Sequence, residues 1–196
     1  KILDKVSFQV ESSDKVLLSG PSGSGKSTIC KLLYRSLGTY SGNIEFNNTS
    51  ECDYSLKAIR ENILYVGQNE KLFTGTIREN IECFRPVEEE TFKDICKICR
   101  LDSIVSGRPN RFNTVINASL NNLSGGEKQR IILARALLKK AKIIILDEAL
   151  SEVNVTMEKE ILDDIFVYFK DCTLIYVTHK NVDDKFEHII RLEQSC

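Results

Sequence analysis

Residues Gly20-Pro21-Ser22-Gly23-Ser24-Gly25-Lys26-Ser27-Thr28 satisfy the pattern G-x-x-x-x-G-K-[ST]. The glycines let backbone N–H groups converge on phosphates, and a helix starting there adds its positive dipole end. Lys26 can reach β- and γ-phosphates, and the Ser27 hydroxyl can ligate Mg²⁺. The implied ligand is a nucleoside triphosphate with its magnesium ion. A second cluster, Ile143-Ile144-Ile145-Leu146-Asp147-Glu148, sets two carboxylates at the end of an apolar run. Asp147 is suited to hold Mg²⁺, directly or through water, and Glu148 to polarise an attacking water as general base. Adjacent acids raise each other's cost of ionisation, so a cation matters at such a place. A Gly/Ser linker would leave the first motif without apolar flanks, and a plain pair of helix-start acids would have no Lys26 and Ser27 to act with.

These groups need elements to position them. Val16–Ser19 runs straight into the Gly-rich loop, Ile143–Leu146 ends in the acids, and Leu174–Val177 ends in Thr178-His179. Each run is short, apolar and bounded by polar residues, as strands buried on both faces are. Helices are predicted from near Lys26, from near Thr156, and from Gly126 through Leu138. Strand–loop–helix alternation predicts an α/β class with a mostly parallel core sheet, and acids at a strand's carboxyl end sit where open α/β sheets bind ligands. Val6–Val10 and Asn43–Phe46 alternate as half-exposed strands with Asn47-Asn48 as a turn, which predicts an N-terminal antiparallel β portion. Pro86 to about Asn110 reads as a helical insertion opened by Glu88, Glu89 and Glu90. The expected division is a core from 1–85 and 111–196, with 86–110 and the helix from Gly126 as a helical satellite.

The 196 residues carry a net charge of −1, without the basic footprint of a nucleic-acid binder. Apolar runs are far shorter than a membrane span, so any span is expected from another segment or subunit. No secretory signal pattern opens the chain. Cys96 and Cys99 form a lone C-x-x-C among seven cysteines, with no second pair or nearby His to complete a zinc set. Phe92, Ile95, Ile98 and Leu101 recur around them at helical spacing, which predicts core thiols in a reducing compartment.

Leu123-Ser124-Gly125-Gly126-Glu127-Lys128-Gln129-Arg130 resembles the signature motif of ABC ATPases. Ser124 can cap the following helix, and two glycines expose N–H donors at its positive end. The phosphate loop, Gln68, the signature, the acidic strand end and His179 follow one another in that family's order and approximate spacing. The resemblance covers essentially the whole chain and implies a P-loop NTPase fold. It implies that Gln68 contacts Mg²⁺ and faces a transmembrane partner, and that His179 stands near the γ-phosphate. It further implies that Ser124, Gly125 and Gly126 contact the γ-phosphate bound on an opposite subunit, so that two ABC domains close head to tail around ATP. Leu72–Ile81 is similar to exporter subunits, most of all those of bacterial peptide and bacteriocin exporters. The implied function is ATP hydrolysis that powers export at the cytoplasmic face of the cell membrane.

The chain departs from the family at four places. Glu127 replaces the usual Gln, and Ser151-Glu152-Val153-Asn154 ends without the usual carboxylate. Val115–Leu120, with Ala118, lacks the Glu with which exporters sense transmembrane loops. The aromatic that stacks on adenine is expected upstream of Lys1, which predicts truncation at the N-terminus, and at the C-terminus, with weaker adenine binding. Two other readings remain open here: a low-turnover regulatory module, carried by Asn154 and Ala118, and a soluble ABC ATPase of DNA repair or translation. The latter is disfavoured by the near-neutral charge, by Leu72–Ile81 and by the lack of a long coiled-coil insertion. No N-K-x-D guanine motif supports a GTPase.

Overall fold

In a computed structural model, which describes residues 3–117 and 122–193, the short apolar runs become a five-stranded sheet. Its strands are β1 (Lys15–Ser19), β4 (Ile63–Val66), β7 (Ile143–Asp147), β8 (Thr173–Val177) and β9 (His188–Arg191). They lie in the order β4-β7-β8-β1-β9, every pair parallel. Alternate residues of each strand enter different apolar clusters. Leu17, Ile144, Leu146, Leu174 and Tyr176 face one side, whereas Leu18, Ile145, Ile175 and Val177 face the other. The helices α1 (Lys26–Leu33) and α2 (Leu56–Asn62) cover the second face through Ile29, Cys30 and Ile59. The first face is covered by α6 (Gly125–Leu137) and α7 (Val155–Tyr168), through Ile131, Leu133, Ile161 and Ile165. Burial on both sides explains why these strands read as continuous apolar runs.

The same large cluster takes in α3 (Ile77–Glu82), α4 (Glu89–Ile98) and α5 (Asp102–Val105). On α4, Phe92, Ile95 and Cys96 are buried and Cys99 follows at the helix end, also buried, so both thiols pack as small apolar groups. Glu89 and Glu90 occupy the first turn of α4, where acids favour the helix dipole.

The antiparallel portion is smaller than the sequence pattern predicts. β2 (Glu45–Phe46) pairs with β3 (Thr49–Ser50) across Asn47 and Asn48, both at positive φ, as a two-residue hairpin turn requires. β5 (Gly75–Thr76) and β6 (Val115–Ile116) make a second two-residue pairing. Val6–Val10 joins no sheet among the described residues. A strand needs a free edge as well as an alternating pattern, and both edges of β1 are taken by β8 and β9. Ala118 lies outside the described residues. No described helix is long and apolar enough to cross a membrane.

Candidate nucleotide site

The site forms where β1 and β7 end against the start of α1. Gly20 leaves β1 at φ 149°, and a Cβ there would come within 2.6 Å of the Leu192 carbonyl oxygen. Only glycine fits so close to another backbone. The Leu192 N–H donates to the Ser19 carbonyl at 2.8 Å, fixing this approach. The loop of Pro21, Ser22, Gly23, Ser24 and Gly25 then turns into α1, whose first residues are Lys26, Ser27 and Thr28. No side chain caps α1, so its first N–H groups remain available to an anion.

Lys26 is 5% exposed, and its ammonium donates to the carbonyls of Gly20 at 2.7 Å and Pro21 at 2.8 Å. The side chain thus spans the loop it anchors. Burial pulls its pKa below the ordinary lysine value, while the charges of Glu148 and Asp147 oppose that pull. Ser24, 2% exposed, has a buried hydroxyl with no partner among the described residues. A buried polar atom is normally paired, and this one, in a loop of N–H donors with a lysine across it, suits a phosphate.

The strand β7 carries Asp147, 3% exposed, onto the face covered by α1. The Ser27 hydroxyl donates to Asp147 Oδ1 at 2.8 Å, and the Tyr65 hydroxyl donates to Oδ2 at 3.0 Å. Burial, then the charge and hydrogen bond of Asp147, push the Tyr65 phenol upward, keeping it a neutral donor. One hydroxyl and one carboxylate converging beside a phosphate loop suit Mg²⁺. That ion is held by one or two carboxylates and completes its shell largely with phosphate oxygens and water.

Glu148 follows at φ 56°, a strained conformation for a non-glycine residue. Its N–H donates to the Val177 carbonyl at 3.0 Å, tying the end of β7 to the end of β8. That tie brings the Glu148 carboxylate to the residues after β8, where His179 Nε2 lies 2.7 Å from Glu148 Oε1. Lys26, Ser27, Asp147, Glu148 and His179 therefore gather at the carboxyl ends of the central strands.

Gln68 and the signature residues stand apart. Gln68 is exposed on the turn after β4, and no hydrogen bond joins it to Ser27 or Asp147 among the described residues. With Gly125, Gln129 and Glu152 it lines a cavity of about 100 Å³. Ser124 caps α6 in a reciprocal box: its hydroxyl accepts from the Glu127 N–H at 3.3 Å, while Glu127 Oε2 accepts from the Ser124 N–H at 2.7 Å. Glu127 thus performs work at the cap. A Cβ on Gly126 would meet the Glu152 carbonyl oxygen at 2.9 Å, so this glycine also seats the 151–154 loop. The Gln129 amide holds the start of that loop, donating to Ser151 Oγ at 2.8 Å and accepting from the Glu152 N–H at 2.8 Å.

Sequence reasoning missed Tyr65, Gln129 and the buried pair Glu158–Lys180. Lys180 follows His179, and its ammonium donates to Glu158 Oε2 at 2.7 Å, to the Leu150 carbonyl at 2.6 Å and to the Val153 carbonyl. Tyr65 lies in a legible four-residue apolar run, Ile63–Val66.

Comparison with known proteins matches the ABC transporter family model over residues 3–151. The lactococcin-G-processing and transport ATP-binding protein of Lactococcus lactis subsp. lactis is 38% identical, over 98% of this chain and 28% of its own length. The microcin-J25 export ATP-binding/permease protein of Escherichia coli is 38% identical over 92% of the chain and 31% of its own. The ATP-dependent lipid A-core flippase of Burkholderia pseudomallei is 33% identical over 97% and 32%, respectively. The chain thus spans about a third of the length of these relatives. A bacterial Atm1-family ABC exporter solved with ATP bound superimposes at a TM-score of 0.88, with 28% identity, covering all of this chain and 35% of that one. With the family model matched over residues 3–151 and relatives up to 38% identical across nearly all of its length, the chain belongs to the ABC transporter family.

Proposed function

We propose that this chain hydrolyses ATP and supplies the energy for export through a membrane domain, carried on the same or a partner polypeptide. The observation that carries the reading is the 2.7 Å contact of His179 with Glu148 at the carboxyl ends of the central strands, where Ser27 also meets Asp147. Lys26 and the α1 N-terminus would hold the β- and γ-phosphates. Ser27 and Asp147, with Gln68 once its loop closes, would hold Mg²⁺, which neutralises charge developing on the phosphates. Glu148 would accept a proton from the attacking water, with His179 fixing the carboxylate and facing the γ-phosphate.

In this reading two ABC domains close head to tail, each phosphate loop meeting Ser124, Gly125 and Gly126 of the other. Residues 86–110 with α6 act as a satellite carried by a core of 1–85 and 111–196, at the cytoplasmic face of the membrane. Relatives named for lactococcin G, microcin J25 and lipid A-core share this chain's sequence pattern, which supports a choice of cargo made outside it. The low-turnover alternative rests on Asn154 and Ala118; Asn154 caps α7, its amide oxygen accepting from the Met157 N–H at 2.9 Å, and Ala118 lies outside the described residues.

The test is steady-state and single-turnover hydrolysis by the chain and its Glu148→Gln variant. The wild type should turn over while the variant accumulates as an ATP-bound dimer. Equal slow hydrolysis by both would remove Glu148 from this role.

A further inference from the structure

We propose that the Tyr65 hydroxyl is a positioning group for Asp147, holding its carboxylate in the orientation that receives a divalent cation. The inference rests on the reading of Asp147 as the metal-holding carboxylate, and goes beyond it by naming what aims that carboxylate.

Three observations carry it. The two oxygens of Asp147 have separate donors, Ser27 on Oδ1 at 2.8 Å and Tyr65 on Oδ2 at 3.0 Å, so the plane of the carboxylate is set from both sides. A carboxylate held this way presents one oxygen to the cation without first losing rotational freedom. The phenol ring is itself fixed: it stacks on Tyr34 with centroids 5.4 Å apart and planes 26° from parallel. Strand register places it, since Tyr65 pairs with Ile145 and Asp147 lies two residues further along the same face of β7.

The chain after β4 is also shaped around this hydroxyl. A Cβ on Gly67 would lie 2.9 Å from the Tyr65 hydroxyl oxygen. Glycine at 67 therefore lets the loop that carries Gln68 pass directly over the phenol. The hydroxyl donates to the proposed metal carboxylate and lies against the start of the Gln68 loop, two of the three protein segments assigned to the cation. A tyrosine kept only for packing would not need its oxygen here, and phenylalanine would fill the same space.

The experiment measures Mn²⁺ affinity by electron paramagnetic resonance, on the chain bound to the non-hydrolysable analogue AMP-PNP. AMP-PNP affinity is measured in parallel with EDTA present. Tyr65→Phe should weaken Mn²⁺ binding about 10-fold, the lower range for loss of an outer hydrogen bond to a metal ligand, with metal-free AMP-PNP affinity unchanged. Gly67→Ala, which displaces the hydroxyl without removing it, should move Mn²⁺ affinity in the same direction. Wild-type Mn²⁺ affinity in Tyr65→Phe, alongside a weakened Asp147→Asn, overturns the role of Tyr65 alone. An Asp147→Asn variant with undiminished Mn²⁺ affinity overturns the metal reading and this inference with it. A matching loss of AMP-PNP affinity in EDTA marks packing damage and also overturns it.

Discussion

At the scale of single residues, Asn154 and Glu127 show departures from a family pattern that preserve the local physics. A helix N-cap needs a short side chain with an acceptor oxygen, and an amide supplies it as well as a carboxylate does. Asn154 holds the start of α7 in this way, while Glu127 closes the reciprocal box at the start of α6. Asn154→Ala should therefore lower stability by about 1 kcal/mol, read as a drop in the urea midpoint at constant slope. Asn154→Asp should stay within a few tenths of wild type; a full loss in that variant would show that the cap is not what residue 154 contributes. The phosphate-loop residues, Asp147, Glu148 and His179 were legible from type and order alone, because each motif is contiguous. Tyr65 was not, because its partner is 82 positions away along the chain and the register of β4 on β7 leaves no local trace. Lys180 carries its meaning through Glu158 and the carbonyls of Leu150 and Val153, which no spacing rule connects to it.

Among elements, the apolar strands were readable and the half-exposed ones were not. β1, β7 and β8 announce themselves as apolar runs, whereas β9 is half-exposed and Val6–Val10 alternates without an edge to pair with. The start of α3 had a readable signal, Thr76-x-x-Glu79, which forms a capping box like that at Ser124. The connection between elements at the end of β8 rests on a buried ion pair. Glu158 on α7 is fully buried and accepts from Tyr176 at 2.6 Å, from Thr178 at 3.2 Å and from Lys180 at 2.7 Å. Lys180 also donates to two carbonyls of the 150–153 segment, so α7, the His179 strand end and the loop against α6 share one ammonium. Removing one partner of such a pair leaves a buried charge without compensation. Lys180→Met should destabilise the fold by about 3 kcal/mol, the low end of the range because the lysine keeps some exposure to water. Lys180→Arg should lose much less, and Glu158→Gln added to Lys180→Met should restore part of the deficit. Urea unfolding of the three variants decides it. A Lys180→Met variant as stable as wild type would mean that the pair holds nothing together.

For the whole molecule, the decisive feature is that the chain's chemical groups lie in two places. Lys26, Ser27, Asp147, Glu148 and His179 gather at the carboxyl ends of the central strands, while Ser124, Gly125 and Gly126 open α6, with no hydrogen bond between the signature residues and the phosphate loop among the described residues. In the proposed reading both groups meet the phosphates through backbone N–H donors at a helix start. Under the proposed head-to-tail closure of two copies they complete each other across a two-fold axis, and every ATP then depends on one group from each chain. This dependence has a consequence that separately folded, self-sufficient sites lack. Lys26→Met should abolish hydrolysis by disabling the phosphate side, and Ser124→Arg should abolish it by blocking the signature side. Mixed in equal amounts, the two inactive variants form mixed pairs, in which one site joins both defects and the other joins a sound phosphate loop to a sound signature. With random exchange half of the pairs are mixed and half of their sites are sound, so ATPase activity should return to about a quarter of the wild-type level. Hydrolysis by the mixture, measured against each variant alone at the same total concentration, reads this directly. Activity that stays at the level of the separate variants, while exchange of labelled chains proceeds, would mean that one chain does not complete the site of the other.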